Sequence, residues 1–220
     1  MADTKERILM TALRLFARDG YEAVSVSAIA GELGMTKGAL YKHYRNKRDI
    51  FDSIVERMVQ IDAERSRQYE VPEETYEAAP AAYREVSIEN IKEFTLAQFS
   101  FWTEDAFASD FRRMLSLEQY RNAEMAELYH QCISAGPLSY MADIFRELTA
   151  GGLLRNAEPN QLAVEYYAPM FLLIQLSDGA MDRQEARELL NGHIQRFFQH
   201  NAAEEWEKNA WNIQTWPHSV

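Results

Sequence analysis

Residues 20–48 read GYEAVSVSAIAGELGMTKGALYKHYRNKR, and their pattern predicts two short helices. Apolar residues recur at helical spacing in two short runs, 26–33 and 39–44, which flank Gly34. Ser25 is suited to begin the first helix, because its hydroxyl can accept a hydrogen bond from a free amide in the first turn. Two short helices joined by a tight glycine-containing turn form a helix-turn-helix, whose second helix enters the major groove of DNA.

The second helix and its flanks carry side chains suited to DNA. Gly38 lets the backbone approach a phosphate closely, and cationic side chains can donate hydrogen bonds to phosphate oxygens. The predicted DNA-contacting residues are Ser25, Thr36, Lys37, Gly38, Tyr41, Lys42, His43 and Lys47. Tyr41 could instead pack inward, and Ile29, Leu33, Leu40 and Tyr44 are assigned to the core.

The charge of the chain is unevenly distributed. The 220 residues carry a formal net charge of -11, whereas residues 36–48 hold Lys37, Lys42, Arg45, Lys47 and Arg48 and no acid. A small positive face on an acidic body suits a compact DNA-contacting head. A merely solvated basic surface is the alternative interpretation.

The rest of the chain is predicted to be helical almost throughout, with no strand or hairpin signal. Helical periodicity predicts helices that end at Gly20, extend from about 46 to 69 and resume at Ile88. Residues 70–86 contain two prolines and indicate a loop with a helical turn inside it. Later segments cover about 104–118, 121–150 with a break at Gly136–Pro137, 158–178 and 182–200.

Residues 20–47 follow the pattern of one known type of DNA-binding domain. The glycines, the small and large residues and Lys47 all occur at the positions expected for it. Residues from about 5 to 60 resemble the DNA-binding head of the TetR family of bacterial transcriptional regulators. The resemblance implies an all-α homodimer that binds a palindromic operator on double-stranded DNA. It assigns 1–48 to the helix-turn-helix domain and 49–200 to a helical effector-binding and dimerisation domain. Residues 201–220 form a tail with three tryptophans, which we expect to dock on the body or on a partner.

The resemblance also implies an effector pocket and a dimer seam in the C-terminal half. The candidate pocket residues are Met58, Phe94, Gln98, Trp102, Tyr120, Met141, Phe145, Tyr167, Met170 and Phe171. The candidate seam residues are Leu162, Tyr166, Leu173, Leu176, Leu190, Ile194 and Phe197. A packed core filled by aromatic and methionine side chains is the alternative for the first set. Packing on their own subunit is the alternative for the second.

Signals for other functions are weak. No phosphate-binding glycine loop or nucleophile motif occurs, so we expect no enzymatic activity and no cofactor. Glu127 and His130 share a helical face, but a metal site needs three or four ligands, so we expect none. The single cysteine, Cys132, excludes an internal disulfide and favours the cytoplasm, and no apolar run is long enough to span a membrane.

We therefore expect a cytoplasmic repressor that a small, largely apolar effector releases from its operator. The fourth helix joins head to body and is the natural lever between them. An architectural or partner-binding DNA-binding protein on the same fold, without an effector, is the alternative.

Overall fold

The computed structural model describes residues 4–203, and within them every regular element is an α-helix. The all-α prediction is confirmed, and the one backbone pairing of β type in that range is an isolated bridge between Leu154 and Ala202. In chain order the helices are α1 (Thr4–Asp19), α2 (Val26–Glu32), α3 (Lys37–Leu40), α4 (Lys47–Gln68), α5 (Pro80–Glu85), α6 (Ile88–Glu104), α7 (Ala106–Glu118), α8 (Ala123–Ile133), α9 (Ala135–Ala150), α10 (Pro159–Leu176) and α11 (Arg183–Asn201). The tail tryptophans lie outside the described residues.

The structure divides into two compact units. Of the described residues, unit 1 comprises 4–68 together with 100–134, and unit 2 comprises 69–99 together with 135–203. Helix α6 contributes residues to both units. The predicted functional division after residue 48 does not coincide with these units, because α4 and α7 pack on α1 within unit 1. The assignment of DNA binding to 1–48 and of effector binding and dimerisation to 49–200 stays a prediction.

In unit 1, α1 packs against α2, α4 and α7, and α7 packs against α8. The apolar stripe of α1 supplies the centre of this core, where Ile8, Leu13 and Phe16 are fully buried. Phe51 of α4 and Phe111 of α7 are buried against the same core. Burial of these side chains fixes the position of the short helices that follow α1, since a large buried apolar side chain contributes about 1.5–3 kcal/mol.

Gly20 ends α1 as predicted, and the structure gives two reasons for glycine there. Its φ of +87° lies in the left-handed region. A Cβ atom on Gly20 would also lie 2.5 Å from Oε1 of Glu118, the last residue of α7, whose side chain is buried. The turn into α2 therefore depends on a close approach between α1 and α7 that the local sequence does not reveal.

In unit 2, α9 packs against α5 and α10, and α10 packs against α11. The core is aromatic: the Phe145 ring lies 5.3 Å from Tyr166 and 5.2 Å from Phe197, measured between ring centroids. The Tyr166 hydroxyl forms a buried 2.8 Å hydrogen bond with Oγ1 of Thr95 on α6. This bond satisfies both hydroxyl groups inside the core, where an unpaired one would cost about 1–3 kcal/mol.

The connection from α4 to α6 is more ordered than a plain loop. It contains α5, which begins at Pro80, and three tyrosine hydroxyls fasten it within unit 2. Tyr76 donates to Oε1 of Glu147 at 2.5 Å, Tyr83 donates to the Glu74 carbonyl at 2.9 Å, and Tyr140 donates to the Pro72 carbonyl at 3.1 Å. The predicted helical turn within 70–86 is confirmed.

One predicted break is displaced. The sequence placed it at Gly136–Pro137, whereas the backbone leaves the helix at Ser134, with φ −124° and ψ −84°, and α9 begins at Ala135. Proline is compatible with the first turn of a helix, where its missing N–H has no intrahelical partner. Pro137 therefore lies inside the first turn of α9 rather than in the interruption.

Candidate nucleic-acid interface

Side-chain caps define the two short helices of the predicted helix-turn-helix. Ser25 caps α2 by accepting a 3.1 Å hydrogen bond from the Ala28 amide, and Thr36 caps α3 by accepting one of 3.1 Å from the Ala39 amide. Gly34 has a φ of +65° in the turn between them. Each cap uses the hydroxyl oxygen as acceptor, so each hydroxyl hydrogen is still available to donate to an anion. The predicted cap at Ser25 is confirmed.

Burial separates the two sides of α3 and its flank. Leu40 and Tyr44 are buried, as predicted, and so is Ile29 of α2, whereas Leu33 is half-buried. The opposite side is exposed and forms what we call the α3 face: Lys37, Gly38, Tyr41, Lys42 and His43. Tyr41 is 43 % exposed, so its ring does not pack into the core. The structure thus brings five of the eight predicted contact residues onto one exposed face.

Gly38 has no internal reason to be glycine. A Cβ atom there would meet only Oγ1 of Thr36, at an ordinary contact distance of 4.0 Å. The position is therefore open toward the outside of the protein. A bare backbone at the front of an exposed helix allows close approach by an external group.

Lys37 and Tyr41 lie one helical turn apart and contact each other. The Lys37 ammonium is 5.6 Å from the centroid of the Tyr41 ring, within the range of a cation–π interaction. This contact presents the ammonium on the exposed side of α3. Among residues 4–203, no acidic side chain pairs with Lys37 or Lys42.

Lys47 was predicted to contact DNA, but its ammonium group has hydrogen-bond partners inside the protein. It donates to the Tyr21 carbonyl at 2.9 Å and to the Glu22 carbonyl at 3.4 Å, and it lies 4.2 Å from the centroid of the Tyr21 ring. These contacts fasten the start of α4 to the turn after α1. Lys47 is thus a structural residue first, and its predicted phosphate contact has to compete with these bonds.

The two arginines of residues 36–48, which we call the basic segment, are also paired with acidic side chains. Arg45 forms a hydrogen-bonded ion pair with Asp49 at 3.0 Å. Arg48 donates to Glu124 through both terminal nitrogens at 2.6 Å and to Asp52 through Nε at 2.6 Å. Hydrogen bonds to Glu124 and then Asp52 raise the pKa of Arg48 above its ordinary value. The positive character of the segment is thus concentrated on Lys37 and Lys42.

The Arg48–Glu124 pair is a feature that sequence reasoning missed. Its partners are 76 residues apart, and no motif links them. Glu124 lies in the first turn of α8, where the capping side chain of Asn122 accepts hydrogen bonds from the amides of Glu124 and Met125. A carboxylate is favoured at this end of a helix, so α8 holds Glu124 in place for Arg48.

The predicted effector-pocket residues fall into different surroundings. Tyr120 is 89 % exposed, because it follows the last turn of α7 in the connection to α8, so its assignment to an interior pocket is corrected. Met58 and Trp102 are buried in unit 1. The remaining candidates are in unit 2 and are buried or half-buried there: Phe94, Gln98, Met141, Phe145, Tyr167, Met170 and Phe171. Their role in binding an effector stays a prediction.

Most predicted seam residues are already covered by their own subunit. Leu162, Tyr166, Leu173, Leu190, Ile194 and Phe197 are buried within the single chain, and Leu176 is half-buried. Packing within the subunit accounts for their burial, which is the alternative that the sequence left open. The large apolar residues that are exposed on α10 and α11 are Val164, Leu172 and Leu189, whose exposed fractions are 52 %, 55 % and 48 %.

The residues considered for metal or redox chemistry have ordinary partners. Glu127 accepts a 2.8 Å hydrogen bond from Gln131, and His130 shares one of 3.0 Å with Ser134. Within residues 4–203, no three His, Cys, Asp or Glu side chains converge as a metal site. Burial raises the pKa of the Cys132 thiol to about 11, which keeps it protonated at neutral pH. No helix of that part of the chain has the length and apolarity needed to cross a membrane.

Comparison with known proteins identifies the segment that carries this interface. Residues 8–54 match the family of bacterial regulatory proteins of the tetR type. The HTH-type transcriptional regulator YerO of Bacillus subtilis is 36 % identical over 70 residues, which are 32 % of this chain and 24 % of that relative. The sequence match thus spans about a quarter of the length of this relative.

Solved structures share the fold over most of the chain. A transcriptional regulator of Saccharomonospora viridis, solved in complex with choline, is 22 % identical with a TM-score of 0.61 and covers 93 % of this chain and 100 % of its own. SmeT, the repressor of the Stenotrophomonas maltophilia multidrug efflux pump SmeDEF, is 19 % identical with a TM-score of 0.61 and covers 92 % of each chain. SmeT has also been solved with triclosan. Residues 8–54, which include both short helices and the α3 face, thus match the N-terminal domain of the TetR family of bacterial regulatory proteins.

Proposed function

We propose that this protein is a cytoplasmic DNA-binding transcriptional regulator that reads DNA with the α3 face. The observation that carries the proposal is the exposed row of Lys37, Gly38, Tyr41, Lys42 and His43, opposite a buried Leu40 and Tyr44. In this proposal Lys37, at the front of the helix, meets base edges, Gly38 lets the backbone approach a phosphate, and the cap hydroxyls of Ser25 and Thr36 donate to phosphates. We assign the chain no enzymatic activity.

The regulator acts as a homodimer on a two-fold symmetric operator. Val164 and Leu172 on α10 and Leu189 on α11 expose large apolar surfaces in the single chain, and a second copy would cover them. The buried seam residues beneath them form the support of that surface. A two-fold dimer presents two α3 faces and therefore requires two related half-sites on the DNA.

The regulator represses transcription and is released by a small, largely apolar effector that binds in the C-terminal half. Two proteins of the same fold have been solved with small molecules, one with choline and one with triclosan. The aromatic and methionine side chains of unit 2 suit an apolar ligand, because such sites are mostly apolar with a few polar groups. To release DNA, the effector has to bind the non-binding conformation more tightly.

The test begins with selection of DNA by the purified full-length protein from a random-sequence pool. Fluorescence anisotropy then measures the affinity for the selected DNA and for a scrambled control at several salt concentrations. The proposal predicts a symmetric selected sequence and a preference of about 10³-fold or more over the control. Equal affinity for both DNAs would favour an architectural protein on the same fold. No binding at low salt would contradict the proposal.

A further inference from the structure

Arg48 directly follows Lys47, the last of the predicted DNA-contacting residues, yet its guanidinium group is fully paired with carboxylates. It lies in the first turn of α4, next to Lys47, and its side chain is 53 % exposed. All three of its nitrogens donate to carboxylates: Nε to Asp52 and both terminal nitrogens to Glu124, each at 2.6 Å. The two terminal bonds run in parallel to one carboxylate, which is the geometry in which arginine binds carboxylate or phosphate.

Asp52 pairs with Arg48 within one helix, whereas Glu124 pairs with it from a second helix. Asp52 is on the same helix, four residues away, so this pair moves with α4 as a unit. Glu124 reaches Arg48 from α8, where the Asn122 cap fixes the first turn. Glu124 therefore determines whether the guanidinium group of Arg48 is held against α8 or is free to bind another anion.

We infer that Glu124 stands in for a DNA phosphate and withholds Arg48 from the DNA, an inference that rests on the proposed function. Release of the pair would add one phosphate contact for each subunit. Both side chains are about half exposed, 53 % for Arg48 and 48 % for Glu124. Because both side chains are about half exposed, water screens their attraction, and opening this pair costs less free energy than opening a buried one.

The direct test is the variant Glu124→Gln, which keeps the size of the side chain and removes its charge. We expect tighter binding to the selected DNA and a steeper dependence on salt. One added contact per subunit is two for the dimer, which increases the loss of affinity between about 50 and about 200 mM salt by about 12-fold, because log affinity falls with a slope of about 0.9 per contact. Anisotropy measures both quantities.

Glu127→Gln is the matched control. Glu127 is one turn further along α8, carries the same charge and has Gln131 as its partner rather than an arginine of α4. If the gain in Glu124→Gln came only from lower negative charge near the DNA, Glu127→Gln would show it as well. Equal gains in the two variants would overturn the inference.

Arg48→Gln identifies the residue responsible. We expect this substitution to leave the salt slope of the otherwise unchanged protein unaltered and to abolish the gain when combined with Glu124→Gln. A gain that persists without Arg48, or weaker DNA binding by Glu124→Gln, would overturn the inference. Circular dichroism verifies that each variant is folded, and Glu124→Ala provides a second test with the same expected direction.

The outcomes separate this inference from the function on which it rests. Sequence-selective binding by the unsubstituted protein with no gain in Glu124→Gln would leave the proposed function standing and overturn the role of Glu124. Absence of DNA binding by the unsubstituted protein and all variants would overturn both.

Discussion

The helix-turn-helix segment and unit 2 are built by different means. In residues 20–48, caps and glycine turns set each helix locally, and the core needs only a few side chains such as Leu40 and Tyr44. In unit 2, the fold depends on contacts between distant helices, such as those of Phe145 with Tyr166 and Phe197. Local sequence thus determines where the short helices begin and end, whereas contacts between residues far apart in the chain form the aromatic core.

The largest expected effect is on the aromatic core. We expect Phe145→Ala to lower the free energy of unfolding by about 3–5 kcal/mol, because Phe145 is fully buried and its removal leaves a cavity. Urea unfolding followed by circular dichroism measures the change. Tyr120→Ala is the control, and we expect an effect within about 0.5 kcal/mol, since this ring is 89 % exposed. Equal losses in the two variants would contradict the packing assigned to unit 2.

Substitutions of two glycines test whether local sequence alone determines the conformation of the helix-turn-helix segment. Gly20 and Gly34 both have positive φ, but only Gly20 faces a close neighbour, Oε1 of Glu118. We expect Gly34→Ala to cost about 1 kcal/mol from backbone strain alone and Gly20→Ala to cost about 1–3 kcal/mol. Thermal unfolding of both variants compares them. If Gly20→Ala cost no more than Gly34→Ala, the contact with α7 would have no energetic role.

Two lysines of the basic segment separate a structural role from a DNA-binding role. Lys47→Ala removes the bonds to the Tyr21 and Glu22 carbonyls, and we expect it to lower stability by about 1 kcal/mol. Lys42→Ala should leave stability unchanged and reduce the salt slope of DNA binding by about one for each subunit. Chemical unfolding and salt-dependent anisotropy measure the two effects. A reversed pattern would restore Lys47 as the phosphate contact.

The smallest expected effect concerns pH and unit 2. Nε2 of His193 donates to the Tyr166 carbonyl at 3.1 Å, and burial lowers the pKa of His193 below its ordinary value of 6.5, helped by Arg196. A lowered pKa means that the fold favours the neutral ring. Its contribution is therefore present above pH 6.5 and is lost as the pH falls through the lowered value.

The measurement is the free energy of unfolding at about pH 5.5 and about pH 8. We expect the unsubstituted protein to lose more stability on acidification than His193→Gln does. The same loss in both proteins would show that His193 contributes nothing to the pH dependence.

Local features of the fold were predictable from sequence because their causes are local. Ser25 caps α2, Gly20 ends α1 and Asn46 caps α4 by accepting the Asp49 amide at 2.8 Å, and each of these has a recognisable residue type at a fixed offset. The α3 face follows from the same signals, since the spacing of Leu40 and Tyr44 fixes which side is buried.

Contacts between distant residues could not be predicted in this way. Arg48 and Glu124 are 76 residues apart, and the Lys47 bond to Tyr21 spans 26, so neither leaves a local pattern. Apolar periodicity on α10 and α11 predicted which residues are buried but not whether the covering surface belongs to the same subunit. Tyr120 carried no signal that distinguishes an exposed aromatic residue from a buried one.

We expect the α3 face, rather than the remaining exposed surface, to read DNA. The most direct measurement compares operator affinity in Lys37→Ala with that in Arg187→Ala, which removes the same charge from the exposed side of α11. We expect a loss of about tenfold or more and relaxed sequence preference for Lys37→Ala, with no change for Arg187→Ala. Equal affinities in the two variants would contradict it.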